Sequence, residues 1–245
     1  MRILIALAAA AALAGCNGNS GTSGNGSAAA PVAAAPAPAG TKWTDTVQKT
    51  AEGGYRIGNP DAAIKLVEYG SRTCPTCGQF GREGMSKLID TYVSTGKVSF
   101  EFRDFMVHGA PDLAASVLGH CTSEATFFPM LEQMYQAQLQ TLQTLESTPP
   151  AFQTALQGKQ PGEIATAWAE RLGYIDFFKQ RGVPEAKARA CLGDPKLIDS
   201  VVKLTEAGSA SGKVTGTPTF LINDEPATGV LGWDQLEPAL KNAGA

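Results

Sequence analysis

The chain has 245 residues, of which 43% are hydrophobic and 18% are charged, and its formal net charge at pH 7 is -3. This length and composition allow one sizeable core or two small ones. The sequence has no basic stripe and no run of Lys and Arg, which argues against a nucleic-acid partner. After the first residues, no segment is long and apolar enough to be predicted as a membrane span.

The N-terminus has the pattern of an export signal. The stretch MRILIALAAAAALAGC carries one arginine, then an apolar run that is too short for a comfortable bilayer span, and it ends in small residues. Its last four residues, LAGC, resemble the lipobox of bacterial lipoproteins, in which the cysteine is diacylated and becomes the mature N-terminus. We therefore expect a signal peptide over residues 1–15 and a lipid on Cys16. An ordinary signal peptide with an incidental cysteine is the alternative.

Residues 16–40 are expected to form a flexible tether. From Asn17 to Gly40 they are almost only Ala, Gly, Ser, Pro, Thr and Asn, which cannot bury enough apolar area to offset the entropy of the chain. The body is then expected to be a folded domain joined to the lipid by this tether, and to work outside the cytoplasm, in the periplasm. Asn17 resembles an outer-membrane retention signal, whereas an aspartate at that position suggests the inner membrane.

Five cysteines are present, and export constrains how they pair. With Cys16 assigned to the lipid, there remain a close pair, Cys74 and Cys77, and two distant residues, Cys121 and Cys191. A bridge across the short loop constrains the unfolded chain by about 2 kcal/mol, and a bridge across the long loop by about 4 kcal/mol. The long bridge is therefore expected to be structural, whereas the short one would add little stability to the fold.

The close pair can be a redox centre, half of a metal site, or a small structural staple. A zinc site needs two further ligands from the distant cysteines and the two histidines, and none of these has the C-x-x-C or H-x-x-x-H spacing of a ligand pair. We therefore expect no metal. His108 and His120 are interpreted as loop or helix-surface residues.

The residues around the close pair predict a strand followed by a helix. AAIKLVEYG, residues 62–70, is a short apolar run with β-branched residues and is typical of a buried strand. The segment QFGREGMSKLIDTYV after the pair has near-helical apolar spacing, and Pro75 suits a first helical turn. Cys74 is then at a helix N-terminus, where unpaired N–H groups and the helix dipole favour the thiolate that disulfide exchange needs. Cys77, one turn inside the helix, can face Cys74.

Further strands are predicted downstream. KVSFEFRDF alternates apolar and polar residues, which gives a strand and completes a βαβ unit. VTGTPTFLIND predicts a strand over Thr219 to Ile222, and ATGVLGW predicts its partner. Asp234 with Glu237 resembles a capping box that opens a last helix.

With these motifs the chain resembles the DsbA-like thiol-disulfide oxidoreductases, in the form of a bacterial lipoprotein. The motifs, in the family's order, are GNPDAAIKLVEYGSRTCPTC, KVSFEFRDF, the cysteine of VLGHCTSEATFF, ARACLGD and VTGTPTFLIN. The resemblance implies an α/β, thioredoxin-like fold with an inserted α-helical subdomain. We expect thioredoxin-like parts at residues 41–109 and 197–245 and the helical insertion at residues 110–196. Cys121 and Cys191 then match the second, non-catalytic disulfide of some relatives.

The resemblance also implies roles for the residues of the redox pair. Cys74 matches the family's nucleophile and Cys77 its resolving cysteine, with Pro75 and Thr76 between them. The best-known strong oxidants of the family have Pro-His at this dipeptide. Because Thr76 cannot bring a cationic imidazole to the thiolate, this chain is predicted to be a milder oxidant.

Three further site residues are implied. Pro218 matches the family's cis-proline, and Thr217 before it offers backbone groups to an extended substrate strand. Glu68 matches the acidic residue beneath the family's active site, where a buried carboxylate is costly to ionise and can relay a proton to or from Cys77. An edge-strand carboxylate that reaches solvent is the alternative for Glu68, and Arg103 is a candidate partner.

The expected function is oxidation of cysteine thiols in unfolded or newly exported proteins through a Cys74–Cys77 disulfide. No cofactor is expected, and a membrane redox partner of unknown identity takes the electrons. One alternative is a disulfide reductase or isomerase of the same fold. The other is a non-enzymatic, peptide-binding lipoprotein that uses the same groove.

Overall fold

The computed structural model describes residues 29–245, so the predicted signal peptide and the predicted lipid on Cys16 lie outside the described residues. The strands are β1 (Val47–Lys49), β2 (Tyr55–Ile57), β3 (Ile64–Gly70), β4 (Val98–Asp104), β5 (Thr219–Ile222) and β6 (Glu225–Pro226). The helices are α1 (Pro75–Glu83), α2 (Met85–Thr91), α3 (Ala110–His120), α4 (Glu124–Glu146), α5 (Pro150–Thr154), α6 (Pro161–Arg171), α7 (Tyr174–Lys179), α8 (Glu185–Gly193), α9 (Pro195–Ala210) and α10 (Trp233–Asn242). No helix in this part of the chain has the length and apolarity to cross a bilayer.

The strands form one mixed sheet in the order β1-β2-β4-β3-β5-β6. β3 and β4 are parallel, from the pair Ile64 and Val98 to the pair Gly70 and Asp104, and α1 and α2 cross over between them. This is the βαβ unit that the sequence predicts. The carboxyl ends of β3 and β4 lie side by side, and α1 starts just beyond this edge of the sheet.

The buried apolar residues form two large clusters and a small one, the small one around Tyr69 and Phe105. On one face of the sheet, aromatic residues of β4 and β5 pack with α1, α4 and α10. Phe80 of α1, for example, makes edge-to-face contacts with Phe100 of β4 and Phe220 of β5. A second core, which includes Trp168 and Phe178, lies among the helices from α3 to α9. The α-helical insertion therefore has an apolar core of its own.

Helix α9 crosses the predicted end of the insertion at residue 196. Its first turns contribute Ile198 and Val201 to the helical core. Near its other end, a Cβ on Gly208 would lie 2.9 Å from Tyr69 and 3.0 Å from Phe105, so the helix packs closely on the opposite face of the sheet. α9 therefore packs on both parts.

The described part of the predicted tether lies against the body. The N–H of Val32 donates to the carbonyl of Gly244, and the N–H of Ala35 donates to the carbonyl of Thr95. The indole Nε1 of Trp43 in turn donates to the carbonyl of Ala35 at 2.6 Å. Hydrogen bonds to the body hold residues 29–35 in spite of their small side chains, so the expectation of a free tether is wrong for these residues.

The C-terminal hairpin and helix differ from the prediction in register. Asn223 and Asp224 both have positive φ, of 50° and 68°, and form a two-residue turn. The partner strand is therefore β6, before the predicted segment 227–233. α10 begins at Trp233, and its cap is a bond from the N–H of Gly232 to Oε1 of Gln235 at 3.0 Å, which replaces the predicted Asp234–Glu237 box.

Candidate active site

Cys74 and Cys77 lie where the chain leaves β3 and enters α1. Cys74 is the N-cap residue of α1, and Pro75 is its first helical residue. Proline suits this position because its missing N–H would have no helical partner there. Both cysteines are thiols in the structure, so it represents the reduced state.

The environment of Cys74 favours its thiolate. The pKa of the thiol is lowered to about 5, although in the protonated form the thiol donates to the carbonyl oxygen of Thr217 at 3.4 Å. The largest cause is a hydrogen bond from the Cys77 thiol. Burial opposes it, but the Thr217 side chain and the N–H groups of Cys77 and Thr76 lower the pKa further. The hydroxyl of Thr217 is buried without another partner among the described residues, so it is free to donate to the thiolate.

Cys77 has the opposite environment. Its side chain has no exposed surface, and the N–H of Ser71 lies 3.5 Å from its Sγ. Burial, and then the hydrogen bond to Cys74 and the charge of Glu68, raise the pKa of Cys77 well above its ordinary value. One cysteine of the pair is therefore suited to be the anion and the other to hold the proton.

The Thr217–Pro218 peptide bond is cis, and it directly precedes β5. Because β5 pairs with β3, this turn lies next to the end of β3 and brings Thr217 to Cys74. Pro218 is buried and Thr217 is half-buried. The structure thus brings together the two residues that the sequence assigns to substrate binding and the predicted nucleophile.

Glu68 lies in the middle of β3, with no exposed surface. Neither carboxylate oxygen has a hydrogen-bond partner among the described residues. Burial, and then the charges of Cys74 and Asp104, raise the pKa of Glu68 well above its ordinary value. The alternative of a solvent-exposed edge carboxylate is therefore wrong, since β3 is an interior strand of the sheet.

Arg103 is not the partner of Glu68. Its guanidinium binds Glu101 through Nε at 2.7 Å and Nη2 at 3.1 Å, and it donates to the hydroxyl of Tyr69 at 3.0 Å. Arg103 and Glu68 belong to neighbouring parallel strands, but Arg103 is in register with Tyr69, whose side chain points to the other face of the sheet. The prediction of this pair was therefore wrong.

Asp112, in the first turn of α3, organises the loop that leads to Cys74. Its Oδ1 accepts from the hydroxyls of Ser71 and Thr73, both at 2.7 Å, and from the N–H of Thr73 at 3.2 Å. Its Oδ2 accepts from the N–H groups of Val107 and His108. Asp112 is fully buried, so a single carboxylate joins the loop after β3 to the loop after β4. Sequence reasoning missed this residue.

Arg72 and Asp104 form a buried ion pair beneath the same loop. Nε and Nη2 of Arg72 donate to the two oxygens of Asp104 at 2.7 Å and 3.1 Å. Asp104 also accepts from Ser116 at 2.7 Å and is bonded to Nε2 of His120 at 2.9 Å. Burial opposes the ionisation of Asp104, but the charge of Arg72 and the bond with His120 outweigh it and hold the pKa of Asp104 below its ordinary range.

The two histidines have different positions. His120 is buried in the Asp104 network, so its interpretation as a surface residue was wrong. His108 lies in the loop between β4 and α3 and is 44% exposed, as a loop histidine should be. Its Nδ1, however, lies 2.8 Å from the hydroxyl of Thr73, the residue before the nucleophile.

Helix α4 of the insertion contacts the redox loop directly. Nε2 of Gln138 donates to the carbonyl of Cys74 at 2.8 Å and to that of Arg72 at 3.1 Å, and the hydroxyl of Tyr135 donates to the carbonyl of Ser71. A Cβ on Gly78 would overlap the side-chain amide of the buried Gln138, so glycine is the residue that fits there. On α4, Gln138 lies on the same face as the buried apolar residues Leu131, Met134 and Tyr135. A polar residue at such a position is the signal that could have identified it.

Cys121 and Cys191 are joined in the structure, with Cα atoms 6.0 Å apart. The bond links the residue after α3 to α8. Within residues 29–245 there is no group of three or more His, Cys, Asp or Glu side chains arranged to hold a metal ion.

Comparison with known proteins places this site in a family. The sequence model of the thioredoxin family matches residues 50–242. A crystal structure of a protein-disulfide isomerase from Novosphingobium aromaticivorans has a TM-score of 0.74 and 27% identity, and the match covers 78% of this chain and 97% of that one. The α-DsbA1 of Wolbachia pipientis shares the fold, with a TM-score of 0.59 and 19% identity over 78% of this chain and 90% of that one.

A relative from Rickettsia bellii, provisionally named a protein-disulfide oxidoreductase, is 25% identical over 167 residues, which are 68% of this chain and 56% of that protein. The chain thus spans about half the length of the curated relatives it matches. The α/β sheet with its helical insertion agrees with the thioredoxin-like fold that the sequence predicts. The chain belongs to the thioredoxin family, and its resemblance to the DsbA-like thiol-disulfide oxidoreductases is confirmed.

Proposed function

We propose that this protein is a thiol-disulfide oxidoreductase that oxidises cysteines of newly exported proteins through a Cys74–Cys77 disulfide. The observation that carries the proposal is the unequal pair: a Cys74 thiol with its pKa lowered to about 5 beside a buried Cys77 thiol with its pKa raised. A stabilised Cys74 thiolate stabilises the reduced enzyme, and a protein whose reduced form is stabilised is an oxidant.

The reaction starts from the oxidised enzyme. A substrate thiolate attacks Sγ of Cys74, the bond between Cys74 and Cys77 breaks, and a mixed disulfide forms between the substrate and Cys74. Cys77 leaves as a thiolate in a buried site and takes up a proton. Glu68 is suited to supply it, because its carboxyl has a raised pKa and no other described partner.

A second substrate thiolate then attacks the substrate sulfur of the mixed disulfide. The substrate leaves with a new disulfide, and Cys74 leaves as the thiolate that its surroundings stabilise. Two electrons have passed from the substrate to the enzyme. The enzyme needs an electron acceptor, and we assign this role to a membrane redox partner.

The half-buried carbonyl of Thr217 beside Cys74 supports a place for the substrate backbone. An extended segment can pair with the main chain of Thr217 before Pro218, which has no N–H of its own. Extracytoplasmic location and a lipid on Cys16, in the outer membrane, complete the proposal and rest on the N-terminal sequence. Palmitate labelling of wild type and Cys16→Ala tests the anchor.

Isomerisation is the second candidate, because the Novosphingobium relative bears the name protein-disulfide isomerase. The equilibrium reduction potential and two refolding assays separate the two functions. An oxidase refolds a reduced substrate and has a high reduction potential, whereas an isomerase rescues a scrambled substrate and has a lower potential than a strong oxidase. Cys74→Ala tests the non-enzymatic alternative, because a peptide carrier retains its function without the thiol.

A further inference from the structure

A cavity of about 550 Å³ opens between the loop after β4 and the helices of the insertion. Its volume lies within the range of about 300–1,000 Å³ that is typical of small-molecule pockets. His108 lies in its lining, and the walls include Pro111, Leu145, Leu156, Ile164 and Trp168. His108 links the cavity to the redox loop, because its Nδ1 is bonded to the hydroxyl of Thr73, the residue before Cys74.

The hydrogen bonds around His108 determine which of its ring nitrogens carries the proton. A carboxylate only accepts, so the hydroxyl of Thr73 donates its single proton to Asp112 at 2.7 Å. The oxygen of Thr73 is therefore an acceptor toward His108, and Nδ1 of His108 is the donor at 2.8 Å. In the neutral ring, Nε2 then carries a lone pair and no hydrogen.

Nε2 of His108 makes no hydrogen bond with a described residue, and the side chain is 44% exposed. The charged group that faces the ring is Asp112, whose Oδ2 lies 3.9 Å from Nδ1. The cavity thus combines apolar walls with an acceptor whose direction is fixed, Nε2 of His108, and with two exposed glutamines, Gln153 and Gln157. The matching ligand is a flat apolar group that carries a donor at its edge, as in tyrosine.

We propose that this cavity is a side-chain subsite that selects a tyrosine near the reacting cysteine of the substrate, with its hydroxyl donating to Nε2 of His108. The inference rests on the proposed function, since a polypeptide bound at Cys74 supplies the tyrosine. His108 is then a specificity-determining residue, and Asp112 and Thr73 are positioning residues that fix its tautomer.

The test uses the full-length oxidised protein and short peptides with one cysteine. A single tyrosine is scanned from three residues before to three residues after the cysteine, with matched phenylalanine and alanine series. The second-order rate constant of mixed-disulfide formation should be highest for tyrosine at one position, about three- to tenfold above phenylalanine, as expected for one hydrogen bond. Phenylalanine should in turn exceed alanine.

Two histidine variants separate the ring nitrogens. The side-chain amide of His108→Gln can reach the place of Nε2, whereas that of His108→Asn reaches only the place of Nδ1. The ratio of the tyrosine rate to the phenylalanine rate should persist in His108→Gln and fall to about one in His108→Asn.

A third variant fills the cavity, since Gln157 is an exposed residue of its lining. Gln157→Trp should abolish the preference for tyrosine over phenylalanine and that for phenylalanine over alanine. The matched surface variant Lys159→Trp should keep both preferences.

Binding of the same peptides with serine in place of cysteine, measured by fluorescence anisotropy, distinguishes failure of the subsite from failure of the proposed function. Glutathione oxidation together with equal rates for tyrosine, phenylalanine and alanine overturns the subsite and leaves the oxidoreductase. A tyrosine preference in binding without any thiol oxidation supports the subsite and overturns the oxidoreductase. A preference that survives both His108→Asn and Gln157→Trp also overturns the subsite.

Discussion

The guanidinium of Arg72 donates two hydrogen bonds, of 2.7 Å and 3.1 Å, to the carboxylate of Asp104. Neither side chain has more than 1% of its surface exposed. Arg72 immediately precedes Thr73 and the nucleophile, and Asp104 ends β4. A Cβ on Gly119 of α3 would overlap the guanidinium, so the cation packs directly against the insertion. The pair therefore joins the redox loop, the sheet and the helices.

Removing one member of this pair should be costly. Arg72→Met leaves the Asp104 carboxylate buried without its cation, and we expect the free energy of unfolding to fall by about 3–5 kcal/mol. The double variant Arg72→Met/Asp104→Leu should lose less than the sum of the single variants, because neither charge remains unpaired. Urea unfolding of the four proteins measures the coupling. Additive losses would show that the pair does not act as a unit.

The unequal thiols predict selective alkylation. With its pKa near 5, Cys74 is a thiolate at pH 6.5, whereas the raised pKa of Cys77 keeps that residue a thiol. Limited iodoacetamide on the reduced protein should therefore label Cys74 first, with a rate that is nearly constant above about pH 6. Peptide mass spectrometry identifies the labelled residue, and Cys74→Ser is the control. Preferential labelling of Cys77 would reverse the assigned roles.

Glu68 should make the stability of the protein depend on pH. Its folded-state pKa is raised, so the native state keeps a proton that the unfolded state loses above about pH 4.3. Stability then falls as pH rises, by about 1.4 kcal/mol per pH unit, until the pH reaches the folded pKa.

The oxidised protein isolates this effect, because cysteines in a disulfide do not titrate. Glu68→Gln should therefore gain stability over wild type as pH rises from 5 to 7, when both are unfolded in urea in the oxidised state. Parallel pH profiles for the two proteins would mean that the carboxyl is not buried with a raised pKa. Release of Cys77 during glutathione exchange should also be slower in the variant.

The Cys121–Cys191 bond is expected to stabilise the fold without taking part in the chemistry. Losing a native bridge typically costs about 2–5 kcal/mol, so the double change to alanine should lower the urea midpoint. Oxidation of glutathione in native buffer should persist, because neither cysteine is part of the redox loop. Thiol counting of the air-oxidised protein is the direct check, and four free thiols in the body would contradict the bond.

Local pattern was sufficient to predict much of the fold. The strands β3, β4 and β5 and the helix that starts after Cys74 follow from short apolar runs and turn residues. The short strands β1 and β2 were missed, since three residues each are too few for a periodic signal. The position of β6 depends on two positive φ angles at Asn223 and Asp224, which residues other than glycine rarely adopt.

The prediction of the site was less complete, for a physical reason. The redox pair and Pro218 lie in short motifs, but Asp112 and Gln138 act on the loop from distant elements. Arg72 belongs to the loop, and its partner Asp104 is 32 residues away in sequence. A buried polar side chain is stable only when partners satisfy it, and those partners are far away in sequence. Pairings of this kind depend on how the insertion packs on the sheet, and a short stretch of sequence carries no information about that packing.

Thr76 is the residue that should set the oxidising power of the enzyme. It lies half-buried in the first turn of α1, and its N–H already helps to lower the pKa of Cys74 to about 5. An imidazole at this position adds a charged donor beside the sulfur and stabilises the thiolate, hence the reduced form, further. If it contributes about 1.4 kcal/mol, Thr76→His should raise the reduction potential by about 30 mV and lower the thiol pKa by about one unit.

Glutathione equilibration measures the potential, and thiolate absorbance against pH measures the pKa. Thr76→Phe is the matched control, because it brings a ring of similar size that has no charge and no donor. We expect the potential to rise in the histidine variant alone, which would make the natural protein the milder oxidant. Equal shifts in both variants would assign the effect to bulk at the helix start, and a lower potential in a correctly folded Thr76→His would refute the role of the dipeptide.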